Sequence, residues 1–356
     1  LPDGICDLGG NTLVSEPLVG EAVSLDFVKA NEADITVQEY SAPSFVDFNG
    51  DGVTDLIVGE QTTAGGKVRM YANIKTNETP VFSDFSYAQT DSVDLVVPAT
   101  ECLGAAPRMI DWNHDGLLDL VIGKADGTVD VFLNNGTEFD TGVAVQAGAL
   151  RSEVVIAVGA RATLDIADWN DDGLFDLIVG ALDGKIRVYL SDGVLGSPHF
   201  AEGLTLTAGG VDLEVPSGRS SPSIFDLDGD GRKDLISGNT AGELVFYRNI
   251  GTDAAPAFDG YELLRFSGAV IDLAGDPRSR PDISDIDGDG LAEILVGSFD
   301  GTIRLYEFPI GSANHLRFTL ADTRAPAVTV DSLATKDATP ELTGTVDDAT
   351  AIIEVT

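Results

Sequence analysis

One ten-residue pattern occurs five times, and its residue types are those of a hard-cation site. It first reads Asp47-Phe48-Asn49-Gly50-Asp51-Gly52-Val53-Thr54-Asp55-Leu56 and begins again at Asp111, Asp168, Asp226 and Asp285. Oxygen-bearing side chains stand at positions 1, 3, 5 and 9, with glycine always at position 6. Alternate residues of a tight loop can turn carboxylates inward while the position 7 carbonyl adds a further ligand. That suits Ca2+, which takes roughly six to eight oxygens at about 2.3 to 2.6 Å. The glycine permits the sharp turn. An EF-hand needs a bidentate Glu at position 12 and helices on both sides. Position 12 here is Val58, Ile122, Val179, Ser237 or Val296, which excludes it.

The elements that must carry these loops read as strands. The loop starts lie 64, 57, 58 and 59 residues apart, a period typical of stacked or radial repeats. Apolar runs follow the loops, such as Leu56-Ile57-Val58-Gly59, Leu120-Val121-Ile122-Gly123, Leu177-Ile178-Val179-Gly180 and Ile294-Leu295-Val296-Gly297. Then come turn dipeptides (Asp126-Gly127, Asp183-Gly184, Ala241-Gly242, Asp300-Gly301) and alternating strands such as Ile186-Arg187-Val188-Tyr189. A short apolar strand such as Ser44-Phe45-Val46 runs into each loop, and a proline recurs upstream at Pro17, Pro80, Pro198 and Pro256. Residues 17–46 read as the second half of a repeat, and residues 291–308 as a first half. The pattern predicts an all-β fold, a five-bladed β-propeller of four-stranded blades closed by an N-terminal strand from about residues 20–38. Closure of this kind removes exposed sheet edges.

The run Asp-x-Asn/Asp-x-Asp-Gly-x-x-Asp-Leu, followed by an apolar strand and an Asp-Gly hairpin, resembles the FG-GAP or VCBS repeat, the blade unit of integrin-α-like propellers. The resemblance covers roughly residues 15–310. It implies a first site of Asp47, Asn49, Asp51 and Asp55 with the Val53 carbonyl, and a second of Asp111, Asn113, Asp115 and Asp119 with Leu117. The third would use Asp168, Asn170, Asp172 and Asp176 with Leu174, and the fourth Asp226, Asp228, Asp230 and Asp234 with Arg232. The fifth takes Asp285, Asp287 and Asp289 with Leu291 and departs from the pattern at Glu293. About five Ca2+ ions are expected, in structural roles. Position 2 is apolar throughout (Phe48, Trp112, Trp169, Leu227, Ile286) and is expected to pack between blades; His114 at position 4 is expected to be an exposed loop residue.

The propeller is expected over residues 1–322. From 323 to 356, three short apolar stretches around Val328, Leu342 and Ile352 read as strands and resemble the start of a bacterial immunoglobulin-like β-sandwich. A complete sandwich needs about 100 residues, so further domains of the same polypeptide are expected beyond Thr356.

The chain carries 21 Lys plus Arg against 59 Asp plus Glu, a net charge of -38, so nucleic acid and anionic membrane are poor partners for its surface. No apolar run approaches the roughly 18 residues of a membrane helix, and no leader stands at Leu1, as in a mature or excised chain. Cys6 and Cys102 are the two cysteines, and their separation says nothing about whether they pair. His114, His199 and His315 are scattered, with no nucleophile elbow or zinc-binding pair, so no enzyme activity is expected. Paired carboxylates abound in so acidic a chain, which leaves a glycosidase-like dyad open, with calcium binding the simpler account.

Arg161, Arg219 and Arg278 each stand seven residues before their loop's first Asp, with Arg280 close by. In integrin-like relatives the face opposite the calcium loops takes partners, and these cations are expected there, at the mouth of the central channel. They would either bind an acidic glycan or carboxylate, or pair with neighbouring acids. The expectation is an extracellular or cell-surface, calcium-stabilised module for adhesion or recognition of a glycan or protein ligand. The alternatives are the propeller domain of a secreted polysaccharide-active enzyme, or a structural unit of a surface layer or filament.

Overall fold

The computed structural model describes residues 20–99, 104–273 and 277–310, with the backbone of four short strands outside them. Every regular element among the described residues is a β-strand. Blade 1 is built from Ala42–Val46, Asp55–Thr62, Gly65–Tyr71 and Ser86–Tyr87. Blade 2 uses Ala105–Ile110, Asp119–Lys124, Val129–Phe132 and Val143–Ala144. Thr163–Ala167, Asp176–Gly180, Ile186–Tyr189 and Leu204–Thr205 form blade 3. Blade 4 follows with Ser221–Phe225, Asp234–Gly238, Leu244–Tyr247 and Glu262–Leu263. Blade 5 takes Arg280–Ser284, Leu291–Gly297 and Ile303–Pro309 from the end of the ring and Ser24–Phe27 from its start. The five-bladed ring expected from the repeat is therefore present, closed by antiparallel pairing of Ser24 with Glu307 through Phe27 with Arg304.

The first strands pack on one another in cyclic order around the axis. Second strands are covered on both faces, which is why they read as unbroken apolar runs: Leu56, Ile57 and Val58 are all fully buried. Each run ends in a glycine because the neighbouring blade comes too close for a side chain. A Cβ at Gly59, Gly123, Gly180, Gly238 or Gly297 would lie 2.1, 2.3, 2.5, 2.1 or 2.3 Å from the carbonyl oxygen of Ala105, Ala162, Ser220, Ser279 or Ser41. These five contacts go once round the ring, blade by blade.

A feature the four-strand reading did not anticipate is a further two-stranded ladder in every repeat, such as Gln89–Thr90 with Val93–Asp94 or Thr207–Ala208 with Val211–Asp212. Four of the five turn through two residues with positive φ (Asn31-Glu32, Asp91-Ser92, Gly209-Gly210, Ser267-Gly268), the geometry of a type I′ hairpin. These ladders latch onto the next blade. Gly148 N donates to Phe200 O and Gly209 N to Phe258 O, both at 2.9 Å. Phe82, Phe200 and Phe258 are buried there, each two residues after one of the recurrent prolines. At position 2 the two tryptophans pack between blades as expected: Trp112 of blade 2 meets Phe175 and Phe200 of blade 3, with ring centres 5.2 and 5.6 Å apart, and Trp169 of blade 3 meets Phe258 of blade 4.

The propeller forms one compact unit, Glu21–Ile310, and residues 1–20 with 311–356 form another. In the second unit Val14–Pro17 pairs with Leu316–Thr319, and Thr329–Val330 with Gly344–Thr345. The rest of the immunoglobulin-like segment expected over 323–356, both cysteines and His315 lie outside the described residues.

Candidate metal loops and the arginine mouth

Each acidic loop joins the first and second strands of its blade, and its span is pinned by register. The residue before position 1 pairs with position 9 in all five blades: Val46 with Asp55, Ile110 with Asp119, Ala167 with Asp176, Phe225 with Asp234, and Ser284 with Glu293. Glycine at position 6 is required by its backbone, with φ near +85 to +90° (Gly52, Gly116, Gly173, Gly231, Gly290). Position 4 is left-handed too, at Gly50, His114, Asp171, Gly229 and Gly288. That explains its variation, since His and Asp enter this region more readily than most side chains. His114 itself is exposed.

The loop side chains hold one shared pattern. In loop 1, Gly50 N and Gly52 N donate to the Asp47 carboxylate at 2.8 and 2.9 Å, Asp51 N to Asn49 Oδ1 at 2.8 Å, and Val53 N to Asp51 Oδ1 at 2.9 Å. The last bond recurs at Leu117, Leu174, Arg232 and Leu291 with 2.8 to 2.9 Å. Position 9 is anchored from below by the loop's own position 2 amide: Trp112 N to Asp119, Trp169 N to Asp176, and Leu227 N to Asp234, at 2.9, 2.9 and 3.2 Å. Glu293 accepts the equivalent bond from Ile286 N at 2.8 Å, so the longer side chain keeps its place in the cradle.

In loops 4 and 5 the carboxylates of Asp226, Asp228 and Asp230, and of Asp285, Asp287 and Asp289, bring oxygens within 4.8 Å of one another. Loops 1 to 3 carry Asn at position 3 and so contribute one carboxylate fewer. Burial, reinforced by the neighbouring acids, raises the position 9 carboxyls above the ordinary range, to about 6 for Asp55 and about 7 for Asp234 and Glu293. Asp55 Oδ2 is buried and accepts no hydrogen bond. Hard oxygens in this number, crowded and incompletely satisfied, fit a hard divalent cation such as Ca2+.

Loop 4 differs from the rest. Arg248 Nε lies 2.6 Å from Asp228 Oδ2, whose side chain is fully buried, and Arg232 pairs with Asp230. Lys233 of the same loop donates to the Asp168 carbonyl of loop 3.

At the opposite end of the first strands, Arg161, Arg219, Arg278 and Arg280 surround one depression of about 340 Å³, with Thr163 and Asn239 among its polar walls. The position seven residues before each loop is occupied round the ring by Tyr40, Gly104, Arg161, Arg219 and Arg278. The three arginines there hold φ of 60, 55 and 84°, a region that strains side chains other than Gly, Asn and Asp. Arg278 donates to the Tyr40 hydroxyl and lies over the Tyr40 and Phe299 rings, 5.1 and 4.9 Å from their centres. Arg280 is buried, donates to Ser41 O at 3.1 Å, and has its pKa pushed down to about 9 by burial and by the three neighbouring guanidiniums. Deeper in the channel Arg108 of blade 2 reaches Asp165 and Asp282 of blades 3 and 5, both at 3.2 Å, and closes the floor.

Sequence comparison bears on these loops directly. Residues 40–69 match the FG-GAP repeat and residues 168–237 the FG-GAP-like repeat. The chain carries FG-GAP repeats. These FG-GAP segments contain loops 1, 3 and 4, and the same blade is repeated in the structure at loops 2 and 5. Among curated proteins the chain is similar to integrin alpha-4 of Xenopus laevis, 28% identical over 147 residues, 38% of this chain and 14% of that protein. It is also similar to integrin alpha-3 of Cricetulus griseus, 31% identical over 162 residues, 41% of this chain and 15% of that one. The chain thus matches about a seventh of the length of these relatives. Among solved structures, the catalytic domain of a GH62 alpha-L-arabinofuranosidase from Coprinopsis cinerea aligns with 13% identity and a TM-score of 0.46, over 83% of this chain and 97% of that one.

Proposed function

We propose that this propeller is an extracellular recognition module, held in shape by Ca2+ in its five FG-GAP loops and presenting its binding surface on the opposite face. The observation that carries it is the division of the molecule. All five acidic loops sit at one end of the first strands, within one conserved hydrogen-bond pattern, while variable side chains gather at the other. Asp47, Asp51 and Asp55 with Asn49 and the Val53 carbonyl would hold the first ion, and the matching positions of loops 2 to 5 the others. A bound ion would supply charge compensation for carboxylates that otherwise repel one another, so binding and blade order are coupled. Sites of this kind suit a compartment with abundant calcium.

A glycan or an extracellular protein is the expected partner. At about 100 times its Kd, each ion adds roughly 2.7 kcal/mol of stability. Calorimetric melting in Ca2+ and then in excess chelator tests the scaffold, with a fall in Tm of well over ten degrees expected. A melting curve indifferent to chelator would reject it.

A further inference from the structure

Arg278 and Arg280 make an odd pair of cations. Arg280 is 7% exposed, and no described carboxylate lies within 4 Å of either guanidinium. Their contacts are a hydroxyl, a carbonyl and aromatic faces, and Arg278 Nε is buried without a hydrogen-bond partner. In a chain of net charge -38, acids to neutralise them would be easy to place. Instead the channel's own acids, Asp165 and Asp282, are engaged by Arg108 below. Buried guanidiniums are stable when a planar anion meets their fork of donors, and among the described residues no carboxylate takes that place.

The shape and field of the mouth restrict which anion. The depression of about 340 Å³ takes in open solvent at its mouth, so what it admits is a small group, a carboxylate rather than the whole ring that carries it. Thr163, Ser220 and Asn239 line it beside the arginines with their own hydrogen bonds made inside the protein, so the hydroxyls of a bound ring would meet the rim arginines instead. Beyond the mouth the body is acidic, and at physiological ionic strength charges are felt over about 8 Å. One carboxylate entering the cup lies among four guanidiniums, whereas the chain's net charge of -38 disfavours a long polyanion on its surface.

Granting the recognition role above, we propose that the channel mouth binds a single carboxylate carried on a hydroxylated ring, such as the terminal uronate of an acidic glycan, with Arg278 and Arg280 gripping the carboxylate. Arg161 and Arg219 complete the positive rim. The left-handed backbone at three of these positions belongs to the repeat, since Tyr40 at the same place in blade 1 shares it, so asparagine suits the fold there.

The test is titration calorimetry on the whole chain in Ca2+, with glucuronate as probe and glucose, acetate, a polyuronate and a short acidic peptide as comparators. Glucuronate should bind, weakening several-fold from low to high salt, and glucose should not. Acetate should bind at least tenfold more weakly, and so should the polyuronate per carboxylate. Arg278→Asn, which suits the positive φ, and Arg280→Met should each weaken glucuronate binding at least tenfold while leaving the Tm unchanged or higher. Unaltered glucuronate affinity in both variants overturns the site, as does binding of the peptide in preference to the uronate. If the variants instead lose stability in step with binding, the arginines are structural and the proposal fails. A protein whose Tm responds to chelator but which takes no glucuronate would refute this site while leaving the calcium scaffold standing.

Discussion

Ser41 and Ser298, 257 residues apart in the chain, hold each other by reciprocal hydrogen bonds. Ser298 N donates to Ser41 Oγ at 2.8 Å, and Ser41 N donates to Ser298 O at 3.1 Å. Blade 5 meets blade 1 here, and Gly297 next door has no room for a methyl group beside Ser41 O. Gly297→Ala should therefore cost about 3 kcal/mol, the upper range for overpacking a filled interior. Gly260→Ala, where nothing lies within 4 Å of an added Cβ, should stay within about 0.5 kcal/mol. Equal denaturant midpoints for the two variants would count against tight closure.

Loop 4 should depend on calcium less than its neighbours, because Arg248 and Arg232 already compensate Asp228 and Asp230. Breaking a buried pair typically costs about 3 to 5 kcal/mol. Arg248→Met should show a loss of this order in chelator and recover most of it in Ca2+, as the ion takes over the charge. Unfolding curves in the two conditions measure the difference, which vanishes if Arg248 serves packing alone.

Asp282 makes the channel floor sensitive to pH. Burial raises its pKa from 3.8 to about 6 against the pull of Arg108. A raised pKa means that the folded state binds the proton more tightly. The stabilising contribution is complete below about pH 4 and is lost as pH rises through 6. At about 1.36 kcal/mol per unit the span is about 3 kcal/mol. The stability of Asp282→Asn relative to the parent should rise by up to that amount between pH 4 and 6. A pH-independent difference would show that the carboxyl titrates normally.

Phe200 links three parts of the design: its carbonyl accepts the latch from Gly148, its ring meets Trp112 of the loop before it, and it is almost wholly buried. Phe200→Ala should cost about 3 to 5 kcal/mol and Phe200→Leu less than about 1.5 kcal/mol, by urea unfolding. Similar losses would mean the site collapses around either side chain.

The blade count, the loop positions and the closing strand were legible because each rests on residue types that local geometry demands: Gly52 for a left-handed turn, Leu56 to Val58 for a strand buried on both faces. The gathering of Arg161, Arg219 and Arg278 was legible as well, since a fixed offset from a repeated loop fixes a place on the ring. The latching ladders were not. Gly209-Gly210 and Ser267-Gly268 are readable as hairpin turns, but Asn31-Glu32 and Asp91-Ser92 take the same form with side chains that give little sign of it. The prolines are visible as a recurring mark in the sequence, while the Phe two residues after Pro80, Pro198 and Pro256 carries the packing. Arg248 is distant in sequence from the loop it neutralises, and only the third strand's return brings it there.

The shared blade also sets an order of events in the making of the protein. Within the ring Ser24–Phe27 is synthesised first and Ile303–Pro309 last, so at about 5 to 20 residues per second the first strand waits on the order of 15 to 60 s for its partner. During that interval blades 1 to 4 form an unfinished arc with a free edge at each end. A chain broken off before Ile303 never loses those edges and is marked for aggregation or proteolysis. The closing strand is in this sense a completeness check, passed only by a full-length ring.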